Sequence, residues 1–533
     1  MLKWRTIRIN KLNVNTGPCS QFNFALNGAT WVGTDSEPLQ ELYQRVCIAA
    51  CFDSQERQNA PRCHKKTRVT ICGSLTGWRR DPSSQDLVRW ITGWAGVGKS
   101  AIAQTIAYEC SMDAQLAASF FFYCASQDRN SLKAFVATIA FQLSVRVPGA
   151  REFIISLLLR DKTIFEKSFQ GQWQALVVDV LLYLHRQGVS QPMLIIVDGI
   201  DECISEEEQR TLLSTLLSSS RELCPSFKFL VSSRPENHLR TMFEEFFEEV
   251  EVKNRNTIEL TEEDGGDIEL FLQSSLQAIH DDYDQYGERA LQTQSWPGED
   301  KINQLVKRAS GQFIYASVVV DFVRNYNGNP NVPLEEVLKP HSNSLKELDH
   351  LYTIVMGKIL KSTPKKHRRL LHHLMVCILL DVVYTYRPDL PFFCPKELNT
   401  EVVKTLLRNL YPVVDLSGIF RHRTFCQFLI RPSVPHPFSI TSRHISVVTS
   451  YALQSLSTKR CSGRVKALSL MCLLHSTPTP ELIFRLTKLP RDTFDTDVPF
   501  VASTQQHLWR NTGISKCLLS WITVDVSAHD LRV

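Results

Sequence analysis

No stretch of the 533-residue chain reaches the uninterrupted run of roughly 18–20 apolar residues that a membrane-crossing helix needs. The nearest, LLHHLMVCILLDVVYTY, is broken by His372, His373 and Asp381 and reads as a buried helix. No membrane span is therefore expected. The amino terminus, MLKWRTIRINKLNVN, lacks the apolar centre and small-residue cleavage site of a secretory leader, so a cytoplasmic protein is the expectation. No period of 20–50 residues recurs and no low-complexity tract is present, which argues against solenoids and disordered tails. Cysteine is plentiful, at 15 residues, but paired close spacings are missing. The thiols stand singly in apolar settings such as FFFYCAS and LMVCILL, where cysteine acts as a small buried hydrophobe rather than as part of a disulfide framework. Cys47, Cys51, Cys63 and His64 likewise lack the ligand spacing of zinc modules.

Charge is uneven. Residues 201–300 carry 24 acidic and 8 basic side chains, whereas residues 301–533 carry 30 basic and 16 acidic ones, within a net charge of +5. The basic residues of the second half are spread among apolar positions without a stripe of interleaved aromatics, so nucleic acid is not an expected partner. The basic run KKHRR, Lys365 to Arg369, reads as a solvated helix face in preference to a nuclear signal.

A composition of 43% hydrophobic and 22% charged residues belongs to a folded chain, and its length calls for several cores. Five apolar runs, DLVRWITGW, LAASFFFYCA, PMLIIVDGI, FKFLVSSR and VEVKNRNTIEL, read as buried strands. Helical spacing fills the intervals, near 131–146, 151–160, 172–187 and 206–222, and precedes the first strand in TRVTICGSLTGWRR. Apolar strands alternating with helices imply an α/β fold, a parallel sheet with helices on both faces. A helix is expected at PLQELYQRVCIAACF. Beyond residue 262 helices follow one another, among them GQFIYASVVVDFV. A proline-rich break, YRPDLPFFCPKEL, then opens a smaller unit, with helical EVVKTLLRNLYP, short strand-like pieces around VVDLSGIFRHRTF and a helix from about His444. The expected division is 1–60, poorly patterned; 61–262, the nucleotide-binding core; 263–364, helical; 365–450, a winged-helix-like unit; and 451–533, a helical tail.

Gly93-Trp94-Ala95-Gly96-Val97-Gly98-Lys99-Ser100, followed by Ala101, matches the phosphate-binding loop G-x-x-x-x-G-K-[ST] between a strand and a helix. Its glycines let backbone N–H groups face the phosphates, which the following helix favours with its positive end. Lys99 would bridge the β and γ phosphates and the Ser100 hydroxyl would bind Mg²⁺. Four apolar residues, Leu194 to Val197, deliver Asp198 to the same ion, with Asp201 and Glu202 following as candidate general bases. A third strand ends in Ser232-Ser233-Arg234, where a guanidinium suits a γ-phosphate.

In this order, GWAGVGKS, LIIVDGIDE and FLVSSRPE, with APRCHKKTR upstream and GQFIYASVVV downstream, resemble the NACHT NTPases of the signal-transduction (STAND) class. The likeness is greatest to the fungal, NLR-like set with a nephrocystin-3-like N-terminal domain, and it spans residues 50–450. The resemblance implies a P-loop NTPase core, a helical segment and a winged helix closed over ATP or ADP. It implies Thr67 and Arg68 near adenine and ribose, Arg234 as a sensor, and His422 of FRHRTFCQFL as a latch on the ADP β-phosphate. It also implies self-association through the NTPase unit and slow hydrolysis that serves as reset. Trp94 stands where relatives often have proline, Cys426-Gln427 replaces a polar-acidic pair, and no ankyrin, WD40 or tetratricopeptide period follows residue 450. The other reading is a conventional P-loop ATPase or kinase acting on a small substrate, or a remodelling motor. ASGQF lacks the second glycine of a transporter signature, and no [NT]-K-x-D base-reading motif follows the Asp198 strand.

Overall fold

The computed structural model describes residues 36–458, leaving out 125, 127, 190, 224–225, 251–255, 262–264, 285–295, 327, 341–345, 381–389, 415–419 and 432–437, with scattered positions as far as 485. Most of the expected 451–533 tail, residues 1–35, the first four residues of YRPDLPFFCPKEL and residues 415–419 of VVDLSGIFRHRTF lie outside the described residues.

Helix α1 (Ser36–Tyr43) is shorter than the helix expected at PLQELYQRVCIAACF. The chain leaves α-helical geometry because the Cys47 N–H is taken by the Thr138 hydroxyl at 2.9 Å, and only a single 3₁₀ turn, Ile48–Ala50, follows. Helix α2 (Val69–Arg80) leads into β1 (Val88–Thr92), the glycine loop and α3 (Lys99–Met112). Then come β2 (Leu116–Phe121), α4 (Phe135–Arg146), α5 (Ala150–Arg160), α6 (Phe169–Trp173), α7 (Asp179–Arg186), β3 (Met193–Asp198), α8 (Glu206–Glu222), β4 (Phe227–Ser233), α9 (Asn237–Glu249) and β5 (Thr257–Glu259). The five strands are parallel, in the order β2-β3-β4-β1-β5. This is the α/β sheet that the alternating apolar runs imply.

Side chains along each strand alternate between two cores. Trp90, Phe120, Ile195, Val197, Phe229 and Val231 face one side, with α1, α4, α5, α7, α8 and α9. Ile91, Phe121, Leu194, Ile196 and Leu230 face the other, with α2 and α3. Coverage on both faces explains why the strands read as continuous apolar runs. A third core gathers α10 (Gly265–Asp284), α11 (Glu299–Ala309), α12 (Phe313–Arg324), α13 (Asn331–Leu338), α14 (Glu347–Ser362), α15 (Lys365–Leu379), α16 (Leu390–Phe393), α17 (Thr400–Leu410), α18 (Arg423–Ile430) and α19 (Ser442–Thr458). Among the described residues, one isolated antiparallel bridge, Val414 to Phe420, flanks the strand-like pieces anticipated there.

β2 is an edge strand, and its outward backbone needs partners. Fully buried Gln142 of α4 supplies them: its Oε1 accepts from Ser119 N at 3.0 Å and its Nε2 donates to Ser119 O at 2.8 Å. Gln142→Leu keeps the volume but leaves one buried donor and one buried acceptor unpaired. At roughly 1–3 kcal/mol for each group, the cost is about 2–6 kcal/mol. Urea unfolding should show the midpoint falling accordingly, and an unchanged midpoint would mean that this pair of bonds does not hold the edge.

Candidate functional site

A cavity of about 310 Å³ opens where β1, β3 and β4 deliver the glycine loop, Asp198 and Arg234. Open α/β sheets bind ligands at this carboxyl edge. Because β4 lies between β1 and β3, Ser232 and Arg234 stand between the loop and Asp198.

The loop geometry follows from its glycines. Gly96 has φ +83°, and a Cβ there would sit 2.3 Å from Cγ2 of Ile314, so no side chain fits. Gly98, φ +102°, caps α3 at its N-terminus, and nothing lies within 4 Å of the Cβ it lacks. That open volume at a helix N-terminus suits a phosphate. Lys99 reaches back over the loop, its Nζ donating to Gly93 O at 2.6 Å and Trp94 O at 3.0 Å. Burial pushes the Lys99 ammonium below its ordinary pKa, and Asp201 opposes that shift.

Asp198 is 3% exposed, and one of its oxygens accepts from the Ser232 hydroxyl. Asp201 is committed to Arg234: Oδ1 accepts from Arg234 N at 3.0 Å and Oδ2 lies 3.2 Å from its Nε. Glu202 is held differently, with Oε2 accepting from Cys124 N at 3.1 Å just beyond β2. The two candidate bases thus have unequal surroundings. Asp201 orients an arginine, while Glu202 is aimed by a backbone amide.

Of the residues singled out in the sequence, Thr67, Arg68, Ala95, Gly96, Gly98, Lys99, Ser100, Ala101, Asp198, Asp201, Glu202, Arg234 and His422 line this one cavity. Gly93, Trp94 and Val97 do not: Gly93 and Val97 serve through their carbonyls, and Trp94 is 67% exposed. Thr67 and Arg68 are engaged with protein. The Thr67 hydroxyl donates to His64 O at 2.8 Å, and an Arg68 guanidinium N–H donates to Val97 O at 3.0 Å.

Arg57, Arg62, Arg129 and Arg421 also line the cavity, and the sequence pattern did not single them out. Arg57 Nε and Nη2 both donate to Gln104 Oε1, its guanidinium lies 3.7 Å from the Phe121 ring centroid, and burial lowers its pKa to about 9. Arg421 pairs with Asp321 of α12 at 3.1 Å. Among the lining residues seven arginines and lysines face three carboxylates, an electropositive pocket suited to a polyphosphate. His422 precedes α18 and is kept neutral: burial, then neighbouring Arg421, pulls its pKa to about 4.

The loop between β1 and α3, the acid at the end of β3 and the interposed β4 decide the architecture. The fold is that of a P-loop NTPase. A family model described as "Nephrocystin 3, N-terminal" matches residues 71–234, which contain all three elements. A curated relative, the "Transcription activator GutR" of Bacillus subtilis (strain 168), is 27% identical over 296 residues, 54% of this chain. The chain spans about 30% of that relative's length. Two solved structures superpose weakly. A Walker-type ATPase of Pyrococcus abyssi has a TM-score of 0.33 at 12% identity, covering 71% of this chain and 99% of its own. The ORC2 protein of Aeropyrum pernix, described as ADPNP-ADP complexes, has a TM-score of 0.30 at 14% identity, covering 76% and 98%.

The histidine makes a pH prediction. Its folded pKa is depressed, so the unfolded chain binds the extra proton first and stability rises with pH across this range. The contribution is whole above the ordinary value of 6.5 and is lost as pH falls towards about 4. His422→Gln should flatten the thermal-stability profile between these limits, and a profile as steep as the parent's would place the titrating group elsewhere.

Proposed function

We propose that this chain binds ATP and ADP with Mg²⁺ and acts as a nucleotide-controlled signalling switch of the NACHT type, closed on ADP and opened by exchange for ATP. The observation that carries this reading is the double wall of the cavity. The glycine loop and Asp198 form one side, while Arg421, His422 and Thr424, more than 220 residues beyond Asp198, form part of the other. A ligand held by both walls couples its own identity to the packing of the carboxyl-terminal helices, which is what a switch requires. The matched relative is named as a transcription activator, a regulatory protein, which fits such a role.

The roles follow from the positions. Lys99 would exchange the Gly93 and Trp94 carbonyls for phosphate oxygens, and the amides around Gly98 would cradle the β-phosphate. Ser100 and Asp198 are oxygen donors of the kind a hard dication takes, and a Mg²⁺ held by them would neutralise phosphate charge. Arg234, steadied by Asp201, would report on the γ-phosphate, while Glu202 would orient a water. Neutral His422 would donate to a phosphate oxygen and hold the closed form. Division into an NTPase core, a helical segment and a winged-helix-like unit, self-association in the open form, a cytoplasmic setting and weak hydrolysis complete the proposal.

Protein purified without added nucleotide should carry ADP and turn over only a few ATP per minute. Fast steady-state hydrolysis in the absence of any partner would point instead to a conventional ATPase or motor. Lys99→Ala removes the charge on the phosphates and should abolish binding of both nucleotides in calorimetry, whereas affinity equal to the parent's would reject this loop as the site. Glu202→Gln should spare binding and slow turnover by about 10²-fold or more, the range of a positioned acid–base group, and the same loss from Asp201→Asn with Glu202 intact would reverse their roles.

A further inference from the structure

A second set of chemistry-bearing side chains lies in the helical core, away from the nucleotide cavity. His373 and Cys377 are four residues apart on α15, so both occupy one helix face. Cys394 follows α16 and meets them from across the packing interface, its Sγ 3.7 Å from that of Cys377. One ring nitrogen of His373 and the two sulfurs all lie within 4.8 Å of one another, and all three residues are at least nine-tenths buried.

We propose that His373, Cys377 and Cys394 form a zinc site. Two thiolates and an imidazole are the soft and borderline donors that select Zn²⁺ over Mg²⁺ or Ca²⁺. The imidazole is held in place: its Nε2 lies 2.8 Å from the carbonyl oxygen of Phe393, the residue before Cys394. A histidine that donates one N–H to a carbonyl presents the other nitrogen as a lone-pair ligand in a fixed tautomer. Tyr451 of α19 packs edge-on against the ring at 5.4 Å and holds its plane.

Space for a fourth ligand adjoins the cluster. A cavity of about 540 Å³ is lined by His373 itself, by Val376 and Pro395, the chain neighbours of the two cysteines, and by Tyr451. It supplies both an entry path and room for a water, which gives three protein ligands and one open position. Binding takes Zn²⁺ and two thiols to a zinc dithiolate and releases two protons to solvent, with no change of oxidation state. The ion would tie α15 to the segment after α16, where α19 already meets both through apolar packing and the Ser455 hydroxyl, which donates to Phe392 O at 3.0 Å.

The alternative for such a dithiol is oxidation to a disulfide, and metal analysis separates the two. The full chain, purified under reducing conditions without added metal, should hold close to one zinc per molecule by plasma mass spectrometry. Co²⁺ exchanged into it should give the sulfur-to-metal absorption of a thiolate site. A chelator should lower its melting temperature by several degrees. The Cys377→Ser/Cys394→Ser variant, checked for parental helicity by circular dichroism, should lose the zinc and the chelator effect together. Should that variant fail to fold, the Co²⁺ spectrum of the parent chain decides alone. Substoichiometric zinc, a different metal at one per chain, a cobalt spectrum without thiolate bands, or a disulfide between these cysteines in the reduced preparation would each overturn the proposal. None of these readouts depends on nucleotide, so they stand or fall apart from the switch.

Discussion

The glycine loop is gripped from behind, and the rest of the site depends on that grip. Gly96 O accepts from Ile314 N at 3.1 Å, and the Ile314 side chain fills the place where a Cβ of Gly96 would stand. One residue on, Val97 O accepts from the Arg68 guanidinium, whose own backbone N–H donates to Asp267 of α10 at 3.0 Å. The Arg68 guanidinium also lies 5.0 Å from the ring centroid of Phe313, beside Ile314. The loop is therefore a shared surface of β1, α2, α10 and α12. A turn that only capped a strand would need none of this bracing. Any shift of the loop on gaining or losing a phosphate must move Ile314 or be resisted by it, because packed interiors yield by repacking rather than by smooth deformation.

Charge supplies the second constraint. Bringing Arg57, Arg129, Arg234, Arg421 and Lys99 around one cavity is unfavourable unless something negative meets them. Asp201 serves Arg234 and Asp321 serves Arg421. Arg57 is hydrogen-bonded to the neutral Gln104 amide and lies over the face of Phe121, and its pKa is lowered by burial, then by Arg129, against the opposing pull of Asp198 and Glu202. An anion of high charge density would relieve this surplus, and the aromatic faces under Arg57 and under Arg129 at Tyr123 keep the cations extended towards it.

The parts of this arrangement that were legible in the sequence are those set by the local chain. The strands stand out because both faces of the sheet are covered, so residues such as Leu194 to Val197 are apolar without alternation. The phosphate loop and Asp198 stand out because backbone geometry and metal chemistry restrict which residues serve. Arg57 and Arg129 were invisible because nothing in a helical or loop pattern says which cavity a long side chain will enter. Gln142 reads as an ordinary member of an apolar helix, and its pairing with Ser119 exists only once β2 is an edge. The cysteines were read singly as buried hydrophobes, and of those described all but Cys63 and Cys72 are buried. The missing piece was that Cys394, beyond a proline-rich break, returns to the face of α15 carrying Cys377 and His373.

A latch built on the Arg421–Thr424 segment must be releasable by one phosphate. Its polar hold on the sheet includes a neutral hydrogen bond, Tyr123 Oη to Phe420 O at 3.1 Å, of a kind worth about 0.5–1.5 kcal/mol. Moving a two-state equilibrium from 1:99 to 99:1 takes about 5.5 kcal/mol of differential binding. Bonds to charged groups contribute about 1.5–3 kcal/mol each, so two or three from His422, Arg421 and Arg57 to phosphate cover that span. A segment clamped by many ion pairs to the sheet would be beyond the reach of one phosphate. A segment whose ion pair, Arg421 to Asp321, runs to α12 and not to the sheet would lie within it.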